Sequence, residues 1–296
     1  MNKIIKTLII VVALIIVLSL TINYLLQINI VHVRVTTTTS LYATGLLEEL
    51  EEEFKKRNPN VEIDFIPVGS GEALRRARDG EACMVFVHAP SLEEKYLSEG
   101  VIGEHHIFAY NYFIIAGPPN DPAEVKNSSL AIEAFRKIYF AGEKGYTKFI
   151  SRGDYSGTHI KELAIWNKTG LDPHGKKWYF ETGSGMAQTL LVAEEENAYV
   201  LSDIGTFLKF KKEGKLPDLE ILYSNSTELI NIYSVYIVES CSGVERSVAE
   251  KFLEFVVTEG QDVIASYGVE EYGVNLFYPA RDKLDELRDI WVELSK

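Results

Sequence analysis

The chain is short of cysteine and of positive charge. Of its 296 residues only two are cysteine, Cys83 and Cys241, and 30 Lys and Arg face 43 Asp and Glu. Two cysteines without the close spacing of a metal knuckle exclude a cysteine-rich scaffold and a structural zinc site. Cys83 falls in the strand-like "ACMVFVHA" and Cys241 in the loop-like "ESCSG", so we read them as separate thiols rather than as a disulfide. The net charge of −13 gives a field that repels polyanions, which argues against nucleic acid as a partner. His105 and His106 are adjacent but lack a third ligand at recognisable spacing, and His88 and His174 read as ordinary core or surface histidines. No metal or other cofactor is expected. Internal repeats and low-complexity linkers are also missing.

What the chain has is apolar residues, 46 % of the total, enough for a large core and about two domains. One stretch is of a different kind. After Lys3 and Lys6, the residues from Leu8 to Leu26 carry no formal charge, a length that spans a bilayer as a helix. A secretory signal has a shorter apolar region and a small-residue cleavage site, which is missing here. Residues 1–30 therefore read as an uncleaved membrane anchor with its N-terminus inside, leaving the remainder outside the cytoplasm. Three N-x-S/T acceptors, at Asn127, Asn167 and Asn225, agree with an exported surface.

Beyond the anchor, strand and helix patterns alternate. "VHVRV", "VEIDFIPV" and "ACMVFVHA" read as strands, and helices follow Thr44, "VGSG" and Pro90. This order predicts a parallel sheet covered by helices on both faces, with ligands at the carboxyl ends of the strands. The loops "TTTTS" and "VGSG" fall at such ends, and both enter helices whose first N–H groups attract anions. A second unit of the same kind follows "YNYFIIAGPPND". From about Ile221 the chain returns toward the first unit, where the C-terminal helices would pack.

The segment "SRGDYSGTH", Ser151–His159, is the most informative. Arg152 offers a guanidinium fork, and Ser156, Gly157 and Thr158 supply hydroxyls and amides at a helix start. Together they suit a tetrahedral oxyanion. A plain helix cap, with Asp154 or Ser156 on the amides and Arg152 paired to Asp154, is the alternative reading. A hydrolase built on Asp154, Ser156 and His159, with Glu162 one turn on, requires a geometry that a serine three residues before a histidine at a helix start rarely provides. No enzymatic activity is expected.

In sequence order, "TTTS" from Thr37, "VGSGEAL" from Val68, "VHAPSLEEKYLSEG" from Val87, "YNYFIIAGP" from Tyr110, "FISRGDYSGTHIKELAIW" from Phe149 and "GSGMAQTL" from Gly183 resemble the tungstate-binding proteins of ABC importers. The resemblance implies a two-lobed type II periplasmic-binding-protein fold. Lobe I would comprise 31–112 plus 231–296, lobe II 113–230, with the ligand in the cleft between them. It also implies a site. Thr39, Ser40 and Ser70 would donate from lobe I, and Arg152, Ser156, Gly157 through its amide, and Thr158 from lobe II. Thr38 and Ser184 form a second tier, Thr36 only ends its strand, and Tyr42 stands beside the first loop. At "LSDIG" the sequence departs from the family, which commonly has an arginine where Ile204 stands.

Tungstate and molybdate are fully ionised at neutral pH and accept hydrogen bonds only, so neutral donors plus one arginine match them. Phosphate, the closest rival, keeps a proton and needs an acceptor, and Glu72 is the only carboxylate near the lobe I loops. A membrane-receptor sensor domain would require cytoplasmic signalling sequence, for which the N-terminus offers only a few residues. The expected partners are the oxyanion and a membrane permease, with the protein acting as a monomer.

Overall fold

The computed structural model describes residues 3–28, 30–224 and 226–296, so the acceptor Asn225 lies outside the described residues. An N-terminal helix α1 (Lys3–Ile28) contains the 19-residue window Ile5–Asn23, with mean hydropathy 2.8 and no residue buried against the rest of the protein. The apolar side chains within Ile5–Asn23 stay exposed all round, as in a helix whose solvent is lipid.

Strand β1 (Val31–Thr38) leads into the short helix α2 (Thr39–Thr44) and then α3 (Leu46–Lys55). There follow β2 (Val61–Val68), α4 (Ser70–Arg78), β3 (Met84–Val87) and α5 (Pro90–Ser98). On α3, Leu46, Leu47, Leu50 and Phe54 fall on one buried face, the spacing that makes the segment a helix. Its glutamates start it and Lys55 closes it, in line with the helix dipole. Strands β2, β1 and β3 pair in parallel, as alternation of strand and helix requires.

The long strand β4 (His106–Gly117) links the two lobes. Its first half, His106–Tyr112, pairs antiparallel with β9 (Ile230–Ile237), and its second half, Phe113–Gly117, pairs with β7 (Tyr199–Asp203) and β8 (Glu220–Tyr223). Between these, α6 (Ala131–Glu143), β5 (Phe149–Ser151), α7 (Gly157–Thr169), β6 (Tyr179–Glu181), α8 (Met186–Glu195) and α9 (Ile204–Lys212) complete lobe II, with β6, β5 and β7 parallel. After β8 the chain passes a 3-10 turn at Thr227–Leu229 and re-enters lobe I as β9. It finishes there with α10 (Gly243–Val257), α11 (Gly260–Ser266), α12 (Val269–Tyr272), β10 (Tyr278–Pro279) and α13 (Leu284–Ser295).

The strand order β2-β1-β3-β9-β4-β7-β5-β6 gives two α/β sheets that share β4. Each sheet is covered on both faces. In lobe I one core is built around Val33, Phe86 and Phe252 and another around Leu74, Val85 and Tyr236; in lobe II one is built around Phe135, Phe149 and Trp166 and another around Ile114, Leu190 and Phe207. The sheets are mixed rather than purely parallel, because β9 enters antiparallel between β3 and β4 in the first and β4 runs antiparallel to β7 and β8 in the second. The reading of free thiols is corrected: Cys83 and Cys241 form a disulfide, their Cα atoms 5.1 Å apart. Val238 N donates to Cys83 O, and this pairing just after β9 brings the loop holding Cys241 over Cys83.

Candidate oxyanion site

The strands of the two sheets end facing one another, and the hydroxyl-rich loops lie at those ends. Strand β1 is half exposed at its start but wholly buried from Val35 to Thr38, where it runs into the cleft. Thr38 caps α2, its Oγ1 accepting from Leu41 N at 3.2 Å. Ser156 caps α7 in the same way, accepting from His159 N at 3.4 Å. A capping hydroxyl uses a lone pair and keeps its own hydrogen, so Thr38 and Ser156 remain donors. Thr36 lies inside the strand, and its hydroxyl donates to Ala73 O at 3.2 Å.

Three further atoms are more telling. Ser70 Oγ, Thr158 Oγ1 and Arg152 Nε are buried and have no hydrogen-bond partner within the protein. Buried polar groups are almost always paired, and each unpaired one costs about 1–3 kcal/mol. All three are donors. They come from both lobes, Ser70 from the first turn of α4 and Thr158 from the first turn of α7. Thr39 completes the lobe I side, with its Oγ1 facing Gly185 of the lobe II loop, where a Cβ would lie 3.8 Å away. Ser184, in that loop, donates its hydroxyl to Thr182 O at 3.2 Å and is the weakest of the candidates.

Arg152 is 2 % exposed and held by Asp154, whose Oδ2 accepts from Nη2 at 2.6 Å while Oδ1 accepts from Ser156 N at 3.1 Å. The carboxylate fixes one edge of the guanidinium and leaves Nε unpaired. Gly153 makes this turn at φ +62°, where a Cβ would come within 2.6 Å of Glu181 Cβ. Tyr155 sits at φ +53° with its ring exposed, a backbone form that a bulky side chain rarely adopts.

The structure also places the rival groups. Glu72 is tied to Arg75 and Arg76 at 2.7–2.9 Å, which lowers its pKa to about 2. The buried Asp203 caps α9, both its oxygens engaged by Thr206 at 2.8–2.9 Å. Burial raises its pKa, opposed by those bonds and by Arg152. Both carboxylates are thus already engaged by protein donors. Ser156 accepts from the His159 main chain, while the His159 ring takes Tyr155 N at 2.9 Å, so the serine–imidazole pair of a hydrolase is not formed. Glu162 turns into the lobe II core, accepting from Tyr179 at 2.8 Å and Trp166 at 3.2 Å, and burial raises its pKa to about 8. Ile204, where the family has arginine, packs partly buried against the Ile114–Phe207 core. Tyr42 packs against Phe65, ring centroids 6.0 Å apart.

One residue was underrated from sequence. His88, at the end of β3, is 3 % exposed and reaches the Ser40 hydroxyl at 3.4 Å. Gly157 of lobe II lies flat against it, and a Cβ there would meet His88 O at 2.8 Å and its ring at 2.9 Å. Only the strand-end position of "VHAP" hinted at this. The lobes also touch beyond the site, where Lys209 Nζ donates to Ala43 O at 2.8 Å and Lys212 pairs with Glu271 at 3.1 Å.

Two α/β lobes sharing a strand, with unpaired buried donors in both, have the architecture of a solute-binding protein. Residues 29–259 match the model of a PBP superfamily domain. The tungstate-binding protein TupA of Peptoclostridium acidaminophilum is 39 % identical over 248 residues, covering 82 % of this chain and 84 % of its own. A putative ABC transporter anion-binding protein of Haloferax volcanii is 38 % identical, covering 82 % and 70 %. The solved structure of the tungstate ABC transporter from Geobacter sulfurreducens superposes with a TM-score of 0.70 at 41 % identity, over 80 % of this chain and 98 % of that one. The chain belongs to the family of tungstate-binding proteins of ABC transporters, within the periplasmic-binding-protein superfamily. That family is one of transport proteins, not of enzymes.

Proposed function

We propose that this protein captures tungstate, with molybdate as a second cargo, outside the cytoplasm and delivers it to an ABC import permease. The observation that carries the reading is that Ser70 Oγ of lobe I and Thr158 Oγ1 and Arg152 Nε of lobe II are buried donors without protein partners, as are Thr37 Oγ1 and Ser151 Oγ at the ends of strands β1 and β5. A dianion that only accepts hydrogen bonds meets such a set without leaving an acceptor unpaired. Thr38, Thr39, Ser40, Ser156 and the Gly157 amide extend the shell in this reading, with Ser184 at its edge. Six to eight bonds of about 2 kcal/mol each offer about 12–16 kcal/mol before ordering costs, and nanomolar binding needs about 12.

The lobes are taken as 31–112 plus 231–296 and 113–230, with residues 1–30 as an uncleaved anchor. The protein works as a tethered monomer, presenting both lobes to the permease. Calorimetric titration of the detergent-solubilised chain with tungstate, molybdate, sulfate and phosphate tests the reading. Tungstate and molybdate should bind far more tightly than the others, and a preference for phosphate would overturn it. Replacing Thr39 and Ser40 together by Ala should abolish binding while the ligand-free protein still folds.

A further inference from the structure

His88 lies between the oxyanion loop and the two strands that join the lobes. Asn111 on β4 and Asn231 on β9 are directly paired in register at the crossing. Their side chains form an oriented chain: Asn111 Nδ2 donates to Leu276 O at 3.2 Å, so its Oδ1 accepts Asn231 Nδ2 at 3.0 Å. Asn231 Nδ2 also donates to the Tyr233 hydroxyl at 2.7 Å. Asn231 Oδ1 is thereby left to accept from His88 Nδ1 at 2.8 Å. With its hydrogen on Nδ1, a neutral imidazole has a lone pair on Nε2, and that lone pair faces the Ser40 hydroxyl. Burial and the nearby Arg152 lower the His88 pKa to about 4, which keeps the ring neutral.

The ring is fixed on its faces as well. It stacks on Tyr233 at 5.0 Å and against Phe113 at 6.1 Å, and Gly157 of the opposite lobe closes on it. We propose that His88 is a positioning residue for the oxyanion site: its Nε2 accepts the Ser40 hydroxyl hydrogen and locks that residue to the Asn231–Asn111 pair on the crossing strands, so that Ser40 meets the ligand through its main-chain N–H in the first turn of α2 and not through its hydroxyl. The lobe I loop and the hinge are then one rigid unit, ordered before ligand arrives. Pre-ordering the loop that carries the Ser40 N–H removes the entropy cost of fixing it on binding. The inference rests on the oxyanion reading above.

The test compares three variants of the full chain, with tungstate as the titrant. His88→Phe keeps the volume and the stacking but has neither hydrogen bond. His88→Asn reaches Asn231 but not Ser40, and His88→Gln can supply an acceptor to Ser40. If His88 orients Ser40, H88Q retains affinity within about threefold of wild type while H88F and H88N lose about tenfold or more. A packing role predicts the opposite order, H88F tighter than H88Q, and that result would overturn the proposal. In a Ser40→Ala background the variants should bind alike, since coupling runs through Ser40; an undiminished H88N loss there would also overturn it. Should H88F fail to fold, the H88N and H88Q pair carries the test. Wild-type protein that binds neither tungstate nor molybdate would sink the oxyanion reading itself, an outcome separate from the order of the variants.

Discussion

The two lobes share a sheet architecture but differ in charge and in what they offer the cleft. Lobe I holds 14 Lys and Arg against 27 Asp and Glu, while lobe II holds 14 against 16. Lobe I presents neutral hydroxyls, and lobe II presents the guanidinium of Arg152. The difference teaches how an acidic protein can bind a dianion. The charge of opposite sign lies on the less acidic lobe, buried and held by Asp154, while lobe I adds dipoles whose strength grows as water is excluded.

Breaking the charged jaw should have the largest effect. Arg152→Ala should weaken tungstate about 1,000-fold, the scale of a buried charge partner, whereas Arg152→Lys keeps the charge, loses the fork and should cost about 30-fold by calorimetry. Next comes a stability difference, because the only disulfide among the described residues lies in lobe I. Reduction should destabilise by about 2–4 kcal/mol, with hydrogen exchange rising in β1 and β3 before β5 and β7. Single neutral donors follow. Ser70→Ala on one jaw and Thr158→Ala on the other should each cost about 1–1.5 kcal/mol of binding. Both should leave the ligand-free protein no less stable, because the hydroxyls lack partners in the protein.

The lobes also differ in a pair of opposed pH dependences. In lobe I, His88 and His105 have pKa values lowered by burial to about 4, so their contribution is present above about 6.5 and is lost as pH falls toward 4. In lobe II, Glu162 is raised to about 8, so the unfolded chain ionises first and stability is lost as pH rises from about 4.5 to 8. Glu162→Gln keeps acceptors for Tyr179 and Trp166. It should remove the alkaline loss, read from fluorescence of Trp166 and Trp178 in lobe II, while Trp291 on α13 reports lobe I.

The fold was legible where a pattern is local. The face of α3, the alternation in β2 and the helix starts at Ser70 and Gly157 follow from spacing and capping residues. The Cys83–Cys241 disulfide was not legible, because nothing near either residue indicates that β9 inserts beside β3. The same insertion hides His88: its partners Asn111 and Asn231 are brought together only by the pairing of β4 with β9. Ser70 and Thr158 could be picked out as candidates because each sits in the first turn of a helix, and Arg152 because it follows the end of a strand. Sequence could not tell which hydroxyls are already engaged, as Ser184 is, because hydrogen-bond accounting needs coordinates.

The shared strand β4 has a consequence for how such a protein can change. Phe113 and Ile115 face the Phe135–Trp166 side of the lobe II sheet, and Ile114 and Ala116 face the Leu190–Phe207 side. A single residue inserted just before Phe113 would leave the lobe I pairing intact and exchange every face of the second sheet's central strand. Which side of one lobe looks toward the other is thus encoded as the parity of a twelve-residue strand. Length changes there should be tolerated in twos or not at all.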